Sequence, residues 1–361
     1  MLRRLIKTGI ASAAHRAGAD RLFAARAGVV NLPLVIGYHR VVQDFRASRP
    51  HSIEPMLISA RTFERHLDWI GRRFQFVTLD DLAAWAEGSK RFDKPAAAIT
   101  FDDGYRDVYH YAMPILRKKG VPAAMFVVTD LVGTSRLQNH DELYLLMSRA
   151  YTAWRNPAKR LLHLLEGLKL PTPLLHKLRP VADNPLQVSW ILLENLAAVS
   201  IQRLTAWLRD ESEVPTQVVD ELRAVTWDML REMSCNDITI GAHSRTHARL
   251  PNETWEKLLD ETCGSRQAAE RELGLTISHF AYPGGGFNAT VVEAVAAAGY
   301  RCAYTSCHHR DIDYPALTIP RRLLWENSGL NAFGGFSPSL MSCQINGMFD
   351  LVARCSQPHG P

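Results

Sequence analysis

Two short segments of this chain bring together side chains of the kinds that do chemistry in pairs. In Ala98-Ile-Thr-Phe-Asp-Asp-Gly-Tyr105 an apolar run leads straight into two adjacent carboxylates, Asp102 and Asp103, and Gly104 permits a sharp turn after them. Successive residues point different ways, so one aspartate can bind a cation while its neighbour stays free as a base. The plain alternative is a turn with an N-capping aspartate ahead of Val108. Gly241-Ala-His-Ser-Arg-Thr-His247 also follows a β-like stretch. His243 and His247 lie four apart, so a single helical turn would set both imidazoles on one side. Two histidines and one carboxylate, with a coordination position left for water, suit a catalytic Zn²⁺ or another divalent ion. A satisfied histidine pair is the commoner outcome for His-x-x-x-His alone, but both segments follow strands.

Three further segments can serve such a centre. Tyr282-Pro-Gly-Gly285 is a tight turn that lets the backbone approach a ligand, with amides free to face an oxyanion; an ordinary loop is the alternative. His39 follows the first apolar strand, where a barrel would aim it at the same mouth. Arg321 and Arg322 follow the last strand, and solvent is the default for at least one of them.

The elements that must position these groups alternate. Strands are expected at 34–38, 96–101, 123–128, 238–242, 279–282, 302–305 and 317–319. Helices with 3.6-residue periodicity are expected at 62–73, 252–273 and 289–298, the second stopped by Gly274. Thr78-Leu-Asp-Asp81 has the form of a capping box. Such alternation implies an α/β fold with a parallel sheet, open or closed. From about 134 to 225 the sequence instead reads as a proline-punctuated helical insertion, with apolar stripes, no strand signal and no chemical motif. Residues 1–32 form a basic, alanine-rich helical segment, the barrel domain covers 33–325, and 326–361 reads as an irregular tail.

Bulk properties exclude several classes of function. The chain has 361 residues, 47% hydrophobic and 22% charged, with a formal charge of only +5 and no basic run interleaved with aromatics, so nucleic acid is not an expected partner. Six cysteines without metal-type spacing are expected to be free thiols in a reducing compartment. There is no run of eighteen apolar residues and no convincing cleavage site, so the expected location is cytoplasmic. The N-terminal segment is amphipathic; packing on the protein surface is its default use and peripheral membrane contact the alternative.

Thr100-Phe-Asp-Asp-Gly104 and His243-Ser-Arg-Thr-His247, in this order, resemble the polysaccharide deacetylases of the NodB-homology type, carbohydrate esterase family 4. Thr226–Met233 resembles the helix that precedes the family's metal histidines. The Phe-Ala-Tyr-Pro-Gly and Tyr-His-Arg segments resemble its subgroup acting on exopolysaccharides. The resemblance covers roughly 33–128 and 225–323. It implies a deformed TIM-like (β/α)7 barrel, a divalent metal (Zn²⁺ first, with Co²⁺ or another divalent ion as alternatives), and hydrolysis of N-acetyl groups on an N-acetylglucosamine-containing glycan. It further implies Asp102 as general base and Asp103, His243 and His247 as metal ligands. Tyr105, through its backbone N–H, together with Tyr282, Pro283, Gly284 and Arg322, would contact substrate. Two departures stand out. Ala281 occupies the place of an arginine that orients the base, which Arg321 or Arg322 would have to replace. The Leu-x-His motif that supplies the general acid is absent, leaving His39 as the first replacement and His308 or His309 behind it. A glycan-binding protein without catalysis and a metal-dependent O-acetyl esterase are the alternative functions.

Overall fold

The computed structural model describes residues 2–26, 32–168 and 170–351. Its centre is one parallel sheet of eight strands: β1 (Leu34–Tyr38), β2 (Gln75–Phe76), β3 (Ala96–Phe101), β4 (Ala123–Val127), β5 (Ile238–Ala242), β6 (His279–Ala281), β7 (Cys302–Tyr304) and β8 (Arg322–Leu323). The order is β8-β1-β3-β4-β5-β6-β7, with β2 pairing beside the start of β3. The ring is closed by the chain leading into β8. Ile319 exchanges backbone hydrogen bonds with Ala303 and Thr305, while Leu324 N–H donates to Gly37 O (2.9 Å). The fold is therefore the deformed (β/α)7 barrel expected.

Period-two alternation sorts each strand into two layers. Val35, Ala98, Ala124, Phe126, Ala281 and Tyr304 cluster in one layer. Ile36, Ile99, Met125 and Ile240 pack with the helices in the other. The first set is mostly small, and two aromatic rings fill what the alanines leave open. Gly241 is required by this packing, because a Cβ there would meet the Phe126 ring at 2.6 Å.

Helix boundaries follow local chemistry. Ser59 caps the helix Ala60–Gly71, and the Thr78–Asp81 capping box opens Leu79–Ala86, as the sequence indicates. Trp255–Leu273 ends on Gly274 at φ 68°. The last strand departs from expectation: 315–317 is a 3-10 turn, Ile319 makes a single bridge, and the strand proper is Arg322–Leu323. Pro320 interrupts the segment, since it has no N–H to give a ladder. A second small sheet, Arg40–Val42 with Leu57–Ser59, was not anticipated.

Among the described residues between Asn139 and Glu221 the insertion forms six α-helices. They bury a separate core including Leu143, Leu161, Val188, Leu192, Leu204 and Leu208. The tail is not wholly irregular. Ser337 caps a helix, Pro338–Ile345, that packs Leu340 and Cys343 against Ala11 of the N-terminal helix Leu2–Arg16. Among the described residues no helix is long and apolar enough to cross a membrane, and all five cysteines are free.

Candidate metal centre

The first element of the site is the end of β3. Asp103 and Gly104 both adopt φ of 70°, a left-handed pair that turns the chain sharply and separates the two carboxylates. Asp102 faces Arg321, which approaches in a bidentate geometry with both N···O distances 2.7 Å. The two side chains are 4% and 1% exposed, so this pair is withdrawn from water. Burial alone would raise the Asp102 pKa; the guanidinium outweighs it and holds the carboxyl below its usual range. Arg321 is held in turn by Thr305 O and Thr100 Oγ1, and lies over the Phe126 ring.

The second element is the loop after β5, and here the helical-turn expectation is wrong. Residues 243–247 form no helix. Ser244 (φ 62°) and His247 (φ 58°) are both left-handed, and this compact loop brings the two imidazole centroids to 5.0 Å. The buried carboxylate of Glu261 stabilises it, accepting hydrogen bonds from the backbone N–H of Arg245 and Thr246 (2.9 Å each) and from Thr246 Oγ1 (2.6 Å). Ser244 Oγ accepts the His247 N–H. Of four non-glycine residues with positive φ among those described, three (Asp103, Ser244, His247) lie here. Backbone strain of order 1 kcal/mol per residue is thus concentrated at the site.

Asp103, His243 and His247 converge, each offering a ligand atom within 4.8 Å of the others. Their fit to a divalent cation can be tested by what each atom lacks. Both Asp103 carboxylate oxygens are buried without a hydrogen-bond donor. His247 Nε2 lies 3.2 Å and His243 Nε2 3.5 Å from Asp103 Oδ1. His243 Nδ1 lies 2.7 Å from Ala281 O, a pure acceptor, so Nδ1 carries the proton and Nε2 presents its lone pair towards Asp103. Burial pushes His243 down to about 4, which favours this neutral form. A buried carboxylate with no hydrogen-bond donor, the His243 Nε2 lone pair and His247 Nε2 beside it together fit a divalent cation.

The remaining expected residues scatter. His39, half-buried at the end of β1, is near enough for its charge to act on Asp102, Asp103 and His140. Pro283 and Gly284 line a cleft beside His247. Tyr105 and Tyr282 are fully buried. Tyr105 OH bonds to His140 Nε2 (2.9 Å) and Asp141 (2.5 Å), and Tyr282 OH donates to Leu317 O (2.8 Å), which leaves only their backbones to meet a substrate. Arg322 is corrected: its side chain pairs with Asp350, away from these groups. His308 and His309 stack on each other on an exposed loop.

The insertion, in which the sequence showed no chemical motif, also reaches the cluster. His140, at the start of its first helix, places Nε2 3.7 Å from Asp103 Oδ2, with its ring 4.9 Å from that of His247. Gln138 Nε2 donates to the Asp103 backbone carbonyl (2.6 Å). The available signal was a polar run, Gln138-Asn-His-Asp141, immediately ahead of an apolar helix. Trp190, Leu193, Leu196 and Ile201 form the cleft wall that, with Pro283 and Gly284, flanks His140 and His247.

A sequence profile described as polysaccharide deacetylase matches residues 89–158 and 193–303. Curated relatives include the poly-beta-1,6-N-acetyl-D-glucosamine N-deacetylases of Staphylococcus aureus (31% identical over 121 residues, 31% of this chain and 41% of the relative) and Staphylococcus epidermidis (29% over 117 residues, 30% and 40%). The match spans about two fifths of those relatives' length. Similar solved structures include the Streptococcus pyogenes deacetylase PplD in complex with acetate (14% identical, TM-score 0.54, 87% of this chain and 97% of that one). IcaB from Ammonifex degensii is similar too (17%, 0.53, 88% and 97%). At these identities the structures speak for the fold.

Proposed function

The chain belongs to the polysaccharide deacetylase family, and we propose that it hydrolyses N-acetyl groups on an N-acetylglucosamine-containing exopolysaccharide, such as the poly-beta-1,6-N-acetyl-D-glucosamine that its curated relatives are named for. The carrying observation is the buried Asp103–His243–His247 cluster beside an Asp102 held by Arg321. Chitooligosaccharides are the second substrate class to assay.

Asp103, His243 and His247 would hold the metal, with Zn²⁺ the first choice for an N₂O donor set. When bound, such a cation supplies Lewis-acid polarisation of the acetamide carbonyl and acidifies water. Asp102 takes the proton of the attacking water, and Arg321 keeps that carboxylate ionised and fixed in orientation. The Tyr105 backbone N–H donates to the developing oxyanion. His39, across the mouth, delivers a proton to the departing amine. The C–N bond breaks, leaving acetate and a free amino group on the sugar. The insertion covers one side of the cleft with Trp190 and its aliphatic neighbours, a surface against which the apolar face of a sugar ring can lie.

The test is acetate release from N-acetylglucosamine oligomers, β-1,6- and β-1,4-linked, by protein stripped of metal and then reloaded with Zn²⁺ or Co²⁺, beside an Asp102→Asn control. Metal-dependent release lost in the control is expected. Stoichiometric metal binding without release from any oligomer would overturn the activity, and release only from O-acetyl esters would overturn the amide substrate. His39→Ala with undiminished turnover would remove His39 from proton delivery.

A further inference from the structure

A large cavity lies at the opposite end of the barrel from Asp103, His243 and His247. It has a volume of about 900 Å³ and opens where strands begin: Leu34 and Val35 start β1, Pro95 precedes β3, and Ile319 and Pro320 precede β8. Its walls are apolar and aromatic, chiefly Trp69, Phe74, Leu82 and Trp85. The Trp69 side chain is buried, yet its indole N–H has no acceptor among the described residues.

Among the described residues, the charged groups lining this cavity are of one sign but for a single carboxylate. Arg21, Arg73, Arg310 and Arg322 border it, and Asp350 is already held by Arg322. Arg73 stacks on Trp69 (3.9 Å) and donates to the Trp69 carbonyl, while Arg310 donates to Pro315 O. Neither these two nor Arg21 has a carboxylate partner among the described residues. Arg21 and Arg72 stand close enough to Arg73 to depress its pKa, though burial is the larger cause. Cations crowded at the rim of an apolar hole suit a ligand with an anionic head and a hydrocarbon body.

The neighbouring surface extends this character. The helix Leu2–Arg16 contains no acidic residue and packs Ala11 against Pro338–Ile345, the helix whose Ser342 and Ile345 line the cavity. Its Ile6 and Ile10, one turn apart, are 52% and 59% exposed, and Leu22 on the next helix is 58% exposed. Exposed aliphatic side chains among basic ones are the pattern of a helix lying in a lipid headgroup layer.

We propose that this end of the barrel binds an anionic phospholipid at a membrane surface, its phosphate between Arg21 and Arg73 and one acyl chain in the cavity against Trp69 and Trp85. The catalytic mouth at the other end then faces away from the bilayer, free to take a long glycan.

The full chain is sedimented with vesicles of phosphatidylcholine alone or containing phosphatidylglycerol, and tryptophan fluorescence is followed with phosphatidylglycerol brominated on its acyl chains. Expected are pelleting only with the anionic vesicles, at least about tenfold weaker for Arg21→Glu/Arg73→Glu, and quenching that falls in Trp69→Phe/Trp85→Phe. Circular dichroism and acetate release from a soluble oligomer serve as fold controls for both variants. Equal or absent pelleting with the two vesicle types, or charge reversal without effect in a folded variant, overturns the proposal. Quenching unchanged in Trp69→Phe/Trp85→Phe overturns the placement of the chain in the cavity. Displacement by millimolar inorganic phosphate overturns the lipid in favour of a simple phosphate site.

Discussion

Removal of Arg321 should cost both stability and turnover, and the two losses can be separated. The Asp102–Arg321 pair is bidentate at 2.7 Å with both side chains almost wholly buried. In Arg321→Met the carboxylate remains in the interior without its countercharge, while Thr100 Oγ1 and Thr305 O each lose a donor. Stranding one member of a buried pair costs about 3–5 kcal/mol. Asp102→Asn strands the guanidinium and should cost a similar amount. In the double variant no full charge is left unpaired, so its loss should be well below the sum of the single losses. Urea unfolding of the four proteins of this cycle, with metal affinity measured in parallel by calorimetry, gives the coupling directly. Acetate release should be lost in Asp102→Asn and in the double variant alike, because restored stability does not restore the base proposed at Asp102. Arg321→Met losing less than about 1 kcal/mol, with turnover intact, would refute the assignment of Arg321 as the group that holds Asp102.

Three further outcomes follow from named contacts. Glu261→Gln keeps the shape of the side chain but removes the charge that fixes the Arg245 and Thr246 amides; metal affinity should fall about 10- to 100-fold by calorimetry, and an unchanged affinity would show that the loop holds itself. Chelation should lower the thermal midpoint, since metal at a hundred times its Kd contributes about 2.7 kcal/mol, whereas His243→Ala should unfold at one temperature with or without chelator. His66, buried with Nδ1 on Tyr38 OH, has its pKa pushed by burial down to about 3. The unfolded chain therefore takes up a proton near pH 6.5 that the folded chain refuses; the resulting stability is complete above that pH and is lost as pH falls, by about 2 kcal/mol at pH 5. His66→Gln should flatten this part of the pH–stability curve, and an unaltered slope in the variant would place the acid sensitivity elsewhere.

What could be read from the sequence was whatever local chemistry decides. Strands β1, β3 and β5 fall where their apolar runs predict, and Thr78, Asp81 and Gly274 mark helix ends through contacts within a few residues of themselves. The last strand escaped because two residues beyond a proline carry too little pattern to distinguish pairing from a loop. The geometry of His243 and His247 escaped for a different reason. Spacing of four suggested a helical turn, but the backbone is set by Glu261, fourteen residues beyond His247 and donating nothing to the local pattern. His140 was invisible because its meaning comes from a contact with Asp103 across 37 positions, made only when the insertion folds back over the mouth.

The displaced arginine shows why residue chemistry transfers between strands more easily than motif position does. Ala281 ends β6, where the family resemblance called for a guanidinium, and that small side chain sits in the barrel interior beside Phe126 and Tyr304. Arg321 enters from the chain before β8 and reaches the same carboxylate over the Phe126 ring, steadied by Thr305 O. A barrel mouth is reached from the end of every strand, so the requirement on Asp102 is a bidentate cation in the interior, whichever strand supplies it. The requirement on position 281 is then that it stay small. Ala281→Arg should accordingly introduce a second buried guanidinium with no free carboxylate to receive it. It should be at least as destabilising as Arg321→Met, whereas Ala281→Arg combined with Arg321→Ala should recover part of that loss if the two strand ends are interchangeable. Full stability of Ala281→Arg alone, measured by urea unfolding, would show that the interior has room for both groups and that the two sites did not replace one another.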